Sequence, residues 1–246
     1  MSFFTDVLVG ILLNAFISAV VGISSTFLAV FLFRRWKKLN SGLKTYSVFW
    51  LLNSLVWIIA AIRYTIIAFG TPVPNLYLID YLIQSMAFII ITLIVFYTGL
   101  RITNNKTIIT IMVLASIAAG IIAIYYFIQL GGITYEELSF FSADSILNNI
   151  SMIIFTSQGA IVMLLLIYDL GLKIKNWYSN KSKVALYNTL FTVSLIAYFI
   201  VGAIDHMKLF HDWTLIAFRI LYCAIFLFVY IIVTLEEEVT ADPYRI

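Results

Sequence analysis

Charged residues are scarce in this chain of 246 residues: 11% are Asp, Glu, Lys or Arg, whereas 63% are hydrophobic. A soluble domain is nearer half apolar and a quarter charged. The mean hydropathy is +1.05. This balance excludes an ordinary soluble protein and is typical of a polytopic membrane protein.

Residue types that carry chemistry are also scarce. The one cysteine, Cys223, lies in an apolar stretch, which excludes an intramolecular disulfide and a thiolate metal site. The two histidines, His206 and His211, fall in one connection, and we expect solvated loop residues there rather than a metal site or a pH sensor. P-loop, GxSxG and HExxH patterns are missing. We therefore expect no enzyme, no cofactor and no metal.

Long apolar stretches are what the chain has in abundance. A bilayer span needs about 20 apolar residues, and it forms a helix because a helix satisfies its own backbone hydrogen bonds. The pattern predicts an all-α integral membrane protein in which residues 1–246 form a single seven-helix bundle. The predicted spans are about 7–33, 45–69, 77–100, 107–129, 146–168, 184–204 and 213–235.

Lysine and arginine gather in every second connection. Twelve of the fifteen lie on one side of the predicted membrane, whereas the connections on the other side hold only Lys208. Short loops rich in Lys and Arg stay cytoplasmic. The sequence therefore predicts a multi-pass plasma-membrane protein with its N-terminus outside and its C-terminus inside. Because the membrane topology accounts for the positions of these residues, the net charge of +3 does not indicate nucleic-acid binding. The Ile-rich composition favours a prokaryotic membrane.

Two arginines interrupt the apolar spans. Arg63 and Arg219 each lie six residues from the predicted outer end of their span, about 9 Å below the boundary. An arginine at the bilayer centre costs about 2.5–3.5 kcal/mol on the insertion scale. Two arginines at one depth predict a shared polar cavity in the outer half of the bundle.

Further polar side chains fall near the same depth. Asp80 opens the third span, Asp205 closes the sixth, and Gln84 shares a helix face with Asp80. Pockets between bundle helices are common ligand sites. We expect a small polar or anionic ligand, and the candidate binding residues are Arg63, Asp80, Gln84, Asn148, Tyr198, Asp205, Arg219 and Tyr222.

The same residues have a structural alternative. Arg63 with Asp80, and Arg219 with Asp205, can form ion pairs that neutralise each other and fix the helix register. If the arginines within the spans outnumber the acidic residues there, they attract an anionic ligand, whereas equal numbers of the two do not.

Small or short polar side chains recur at every fourth position of the first span, at Gly10, Asn14, Ser18, Gly22 and Thr26. Such spacing predicts close helix contact, which we favour over a polar path. Ser116 and Gly120 predict the same for the fourth span.

The seven-helix topology is shared with microbial opsins, but these need a lysine in the last span for the retinal Schiff base. Here the seventh span carries Arg219, and every lysine lies in a loop or at a span end. Arginine cannot form that linkage, so the sequence excludes opsin photochemistry.

Three features resemble the seven-helix membrane sensor modules of prokaryotic histidine kinases. They are the run Arg34-Arg35-Trp36-Lys37-Lys38, the second span with Trp57, and the run Phe96-Tyr97-Thr98-Gly99-Leu100-Arg101, all within about the first 105 residues. The resemblance implies a sensor of a ligand or of membrane state that signals through its cytoplasmic side. No kinase follows the seventh span in this sequence, so we expect signalling through a separate protein, or none.

We therefore expect a receptor-like sensor module with an outer ligand pocket, surrounded by lipid. Its basic loops are expected to contact a cytoplasmic or membrane protein partner or anionic lipid. A small transporter or channel is the first alternative, although the inner half is poor in polar residues, which are scattered over several spans at Asn53, Thr92, Gln158, Asp169, Asn188 and Thr192. A non-catalytic assembly subunit of a membrane complex is the second alternative.

Overall fold

A computed structural model of the protein describes residues 2–38, 41–70, 72–103, 105–129, 133–135, 145–206 and 212–241. Within these ranges the chain forms seven long helices and one short pair of strands. The helices are α1 (Ser2–Phe33), α2 (Ser41–Ala68), α3 (Tyr77–Ile102), α4 (Lys106–Gln129), α5 (Asn149–Asn180), α6 (Lys183–His206) and α7 (Asp212–Ala241).

Each helix contains a segment that is long and apolar enough to cross a membrane. Six of these segments match the predicted spans to within two residues, and the prediction of seven helices of membrane-spanning length and composition is confirmed. The reason is physical: uninterrupted apolar runs of this length leave the backbone no partner in hydrocarbon except its own helix.

The fifth span is the exception to this agreement. It was predicted over 146–168, but α5 begins at Asn149 and continues to Asn180. Its start is set by Asn148, whose side chain accepts a hydrogen bond from the Ser151 backbone N–H at 2.8 Å and so caps the helix. Its extension passes through Asp169 and Lys173, which pair with each other across one turn.

A short antiparallel pair of strands, β1 (Ile133–Tyr135) and β2 (Ser145–Leu147), lies between α4 and α5. The sequence prediction treated this connection as a loop. The pairing of Ile133 with Leu147 and of Tyr135 with Ser145 positions the chain for its return into α5.

Six helices form a ring in the order α1, α2, α3, α5, α6, α7, because each contacts the next and α7 returns to α1. The remaining helix, α4, packs on the outside of α3 and α5. The side at which α1, α3 and α5 finish carries most of the lysines and arginines and is called the basic end below. The opposite side is called the amino-terminal end.

The contact between α1 and α2 follows the predicted small-residue stripe. A Cβ placed on Gly22 would lie 2.9 Å from Ile58 Cγ1, so the two helices approach too closely for a side chain at this position. One turn further, the Thr26 and Ser54 hydroxyls are 2.5 Å apart. The same holds for α4, where Ser116 hydrogen-bonds Thr92 at 3.0 Å. The prediction of close packing is confirmed.

Candidate functional site

The bundle contains a cavity of about 490 Å³ in its amino-terminal half. Its walls come from α2, α3, α5, α6 and α7, with Ser145 of β2 at the rim. Cavities of roughly 300–1,000 Å³ are the size range of small-molecule sites. Seven of the eight predicted residues line it: Arg63, Asp80, Gln84, Tyr198, Asp205, Arg219 and Tyr222.

Arg63 of α2 pairs with Asp80 of α3. The Arg63 Nε lies 2.7 Å from the Asp80 Oδ1, and each side chain is 3% exposed. The pair forms because α2 ends shortly after Arg63 and α3 begins shortly before Asp80, which places both at one depth.

Arg219 of α7 connects four helices. Its Nε lies 3.4 Å from the Asp205 Oδ1 on α6. Its Nη1 donates both to the Tyr64 hydroxyl of α2, at 3.2 Å, and to the Asn14 side-chain oxygen of α1. The guanidinium therefore fixes α7 against α6, α2 and α1 together.

Tyr64 lies between the two arginines. The guanidinium carbon of Arg63 is 5.7 Å from its ring centroid, and that of Arg219 is 5.6 Å away. Both distances fall within cation–π range. The two arginines thus share one depth in the bundle, as their positions in the spans predicted.

Charge is balanced around the cavity. Among the described residues, its charged lining consists of two arginines and two aspartates, and each arginine has one aspartate beside it. Both ion pairs of the structural alternative are therefore present. A balanced set does not attract a purely anionic ligand, and it offers hydrogen-bond donors and acceptors side by side.

Aromatic side chains form the deeper wall. The Tyr198 hydroxyl donates a hydrogen bond to the Asn53 side-chain oxygen, and the Asn53 amide donates to the Ser25 hydroxyl at 3.2 Å. The Tyr222 ring lies 4.8 Å from the Trp57 ring, between centroids. Most of the remaining lining is apolar: Val56, Ile83, Ala87, Ile90, Ile91, Phe155, Met163 and Phe199.

Asn148 lies outside the cavity lining, unlike the other predicted residues. Its side-chain oxygen caps α5, and its amide nitrogen donates to the Tyr126 carbonyl at 2.8 Å. Both polar groups of Asn148 are thus used to join α4 to α5. A role of Asn148 in ligand binding stays a prediction.

A second polar cluster, at the basic end, corrects the prediction that the inner polar residues are scattered. Asp169 of α5 is surrounded by Lys173, by the Thr192 hydroxyl of α6 at 2.7 Å, and by the Arg101 Nε of α3 at 3.8 Å. Arg101 also donates to the Asn188 side-chain oxygen at 3.4 Å. The spacing of Asp169 and Lys173 was a signal in the sequence, but the predicted span ended before it.

The other inner polar residues serve packing. Gln158 donates to the Ser116 carbonyl at 2.9 Å, and Thr92 pairs with the Ser116 hydroxyl. They join α5 and α3 to α4, on the outside of the ring.

An aromatic column fills the bundle between the cavity and the basic-end cluster. It consists of six side chains that are at most 2% exposed: Tyr46, Phe49, Trp50, Tyr97, Phe191 and Phe226. Ring contacts run without a gap from Tyr198 to Trp50 at 5.5 Å, from Trp50 to Tyr46 at 5.5 Å, and from Tyr46 to Tyr97 at 5.6 Å. Tyr97 accepts a hydrogen bond from Arg101, so the column ends at the basic-end cluster.

His206 is the last residue of α6, and His211 lies outside the described residues. In the part of the chain that the structure describes, no group of three or more His, Cys, Asp or Glu is placed to hold a metal ion.

No protein-family model, curated protein or solved structure matches this chain. The resemblance to the sensor modules of histidine kinases therefore stays a prediction.

Proposed function

We propose that the protein is a receptor-like sensor module that binds a small ligand in the cavity of its amino-terminal half. The observation that carries the proposal is the lining: two Arg–Asp pairs and Gln84 border a space of about 490 Å³ inside an otherwise apolar bundle. Ion pairs within a membrane span are costly and are by default candidates for function. Pairs that served helix register alone would need no cavity beside them.

The charge balance narrows the ligand to a neutral or zwitterionic molecule. Each arginine donor lies beside an aspartate acceptor in the lining of the cavity, whereas Trp57, Tyr198 and Tyr222 offer aromatic surface. An anion alone would leave the aspartates repelling it. A molecule with one polar end and an apolar body uses both parts of the cavity.

The aromatic column supports sensing over transport. A transporter needs a polar path through both halves of the membrane, but buried rings occupy the bundle between the cavity and Asp169. Transport of a labelled substrate by reconstituted vesicles would overturn this preference.

The same column supplies a physical connection for a signal. Tyr198 and Tyr222 border the cavity, and their neighbours lead by ring contact to Arg101 and the basic-end cluster. We propose that the amino-terminal end faces outward, so that a ligand shifts α6 and α7 and changes the basic loops on the cytoplasmic side. Those loops would contact a protein partner or anionic lipid.

Two glycines of α5 provide a matched test of ligand binding. A Cβ on Gly159, which lines the cavity, would meet no atom within 4 Å, so Gly159→Leu adds a side chain at the cavity wall where its first carbon has open space. Gly171 on the same helix also has open space but lies outside the cavity lining.

The measurement is thermal unfolding of purified protein against a library of neutral and zwitterionic small molecules. We expect compounds that raise the Tm of the wild type and of Gly171→Leu but not that of Gly159→Leu. Arg63→Ala and Arg219→Ala should also lose the stabilisation. Stabilisation that persists in Gly159→Leu would contradict the assignment of the cavity.

A further inference from the structure

Three residues of the cavity wall are exposed, although most of that wall is buried or half-buried. They are Thr156 and Ala160 of α5 and Ala203 of α6. All three belong to neighbouring helices of the ring, and they define what we call the α5–α6 seam.

The seam borders the outer surface of the bundle. Ala160 lies one helical turn before Leu164, which is 67% exposed, and Ala203 lies three residues after Ile200, which is 46% exposed. Residues three or four apart share a helix face. Each seam alanine therefore stands where the outward-facing stripe of its helix meets the cavity-facing stripe.

The seam lies at the depth of the apolar spans. Thr156 and Ala160 are about 10 and 16 Å along α5 from its first residue, at 1.5 Å per residue. They fall within the segment Asn149–Asn180, and Ala203 falls within Lys183–Asp205. Thr156 and Ala160 thus lie well within the apolar length of α5, whereas Ala203 lies two residues before the end of the α6 segment.

Small side chains keep the seam open. Alanine and threonine stand at its edges, and glycine stands behind them on both helices. Gly159 has open space around a built Cβ, and the nearest atom to a Cβ on Gly202 is the Tyr222 hydroxyl at 3.7 Å. The larger wall residues of these two helices, Phe155, Met163 and Phe199, lie close to these small side chains along the chain.

We infer that the cavity is reached from the bilayer, through the α5–α6 seam, and that its ligand is a membrane-partitioning amphiphile. The polar end of such a ligand would lie at the two Arg–Asp pairs, and its apolar part would extend toward the seam. The inference rests on the proposed function, because it names the class of ligand for the same cavity. Access from hydrocarbon also explains why a cavity with two ion pairs has mostly apolar walls.

The labelling rate of a cysteine inside the cavity shows whether a reagent reaches the cavity from the bilayer or from water. Ala87 of α3 lines the cavity, so Ala87→Cys in a Cys223→Ala background places a single thiol there. The protein is reconstituted in liposomes and treated either with N-phenylmaleimide, which partitions into the bilayer, or with a charged trimethylammonium methanethiosulfonate, which stays in water. Ser179→Cys, at an exposed position near the end of α5, calibrates the intrinsic rate of each reagent.

Each labelling rate is first divided by the rate of the same reagent at Ser179→Cys. On this scale we expect the maleimide to label Ala87→Cys at least tenfold faster than the charged reagent does. Closing the seam with Ala160→Phe and Ala203→Phe should slow the maleimide by tenfold or more. The matched control adds the same bulk beside the seam, with Leu164→Phe and Ile200→Phe, and should leave the rate unchanged. Thermal unfolding verifies that each variant is folded.

Two results would overturn the inference. Fast labelling by the charged reagent, unaffected by the seam substitutions, would mean that water reaches the cavity, and the proposed ligand site would remain with another route. Labelling by neither reagent in a folded protein would mean a sealed cavity, and the proposed function would then fail together with the seam.

Discussion

At the scale of single residues, the buried charges matter most, and their energetics are asymmetric. Arg63 and Asp80 are each almost fully enclosed, so removing one leaves the other as an uncompensated charge in an apolar setting. Removing one partner of a buried pair costs about 3–5 kcal/mol, whereas replacing both by apolar residues is often neutral. Single and double substitutions therefore separate the contribution of the pair to stability from its contribution to ligand binding.

We expect Asp80→Leu alone to lower the free energy of unfolding by about 3–5 kcal/mol, and the double variant Arg63→Leu/Asp80→Leu to recover most of that loss. Chemical unfolding in mild detergent measures both. Ligand stabilisation should stay lost in the recovered double variant, because the polar part of the cavity wall is gone. Recovery of both stability and ligand response would assign the pair to structure alone.

Asp169 neutralises two cations at the basic end. Asp169→Asn leaves Arg101 and Lys173 close together without a carboxylate between them, and we expect a loss of about 3–5 kcal/mol. Lys173→Met should cost less, because Arg101 and Thr192 still contact Asp169. Lys175→Met, at an exposed position of the same helix, is the control. Equal stability of Asp169→Asn and the control would refute the cluster's structural role.

The sequence predicted the four charged residues of the cavity lining, but it did not predict Asn14 and Tyr64, which accept hydrogen bonds from Arg219. Arg63, Arg219, Asp80 and Asp205 are conspicuous because charge is rare within spans. Asn14 is not conspicuous, because it falls on the small-residue stripe of α1, where the pattern predicts packing residues. Its hydrogen bond to Arg219 depends on how α1 and α7 meet, and no local pattern encodes that.

At the scale of helices, close approach between α1 and α2 is the most sensitive feature. A Cβ at Gly22 would lie 2.9 Å from Ile58 Cγ1 and 3.1 Å from the Ile58 backbone nitrogen. The backbone contact cannot be relieved by a rotamer change, so the helices would have to separate.

Gly22→Ala is expected to lower the free energy of unfolding by about 1–3 kcal/mol through overpacking. Gly171→Ala is the matched control, because open space surrounds it and alanine favours a helix over glycine by roughly 0.5–1 kcal/mol. The two substitutions should therefore shift Tm in opposite directions. A shift of the same sign and size in both would show that helix propensity, not contact, governs Gly22.

The bounds of α5 show where a hydropathy pattern stops being informative. The apolar run ends before Asp169, and the predicted span ended with it. The helix continues because Lys173, Thr192 and Arg101 satisfy that carboxylate, and two of these partners come from other helices. Tertiary contacts of this kind are invisible to a window along one segment.

At the scale of the whole molecule, the number and position of the spans could be predicted because each apolar run must form its own helix. The order of the helices in the ring and the position of α4 outside it could not be predicted, because both depend on which helix faces pack together. The cavity follows from that ring order, since it lies among α2, α3, α5, α6 and α7.

The distribution of basic residues predicts that the amino-terminal end of the bundle lies outside the cell and the basic end lies in the cytoplasm. In a Cys223→Ala background, Asn75→Cys marks the amino-terminal end and Ser179→Cys marks the basic end, both at exposed positions. We expect a membrane-impermeant maleimide to label Asn75→Cys in intact cells and Ser179→Cys only after lysis. The reverse pattern would place the cavity on the cytoplasmic side.

Native mass spectrometry shows whether the cavity holds a small ligand. The protein is extracted with its surrounding lipid and released in the gas phase beside Gly159→Leu and Gly171→Leu. We expect a bound small molecule on the wild type and on Gly171→Leu, and its loss from Gly159→Leu, which adds a side chain at the cavity wall. Equal occupancy of all three proteins by that molecule would contradict this expectation.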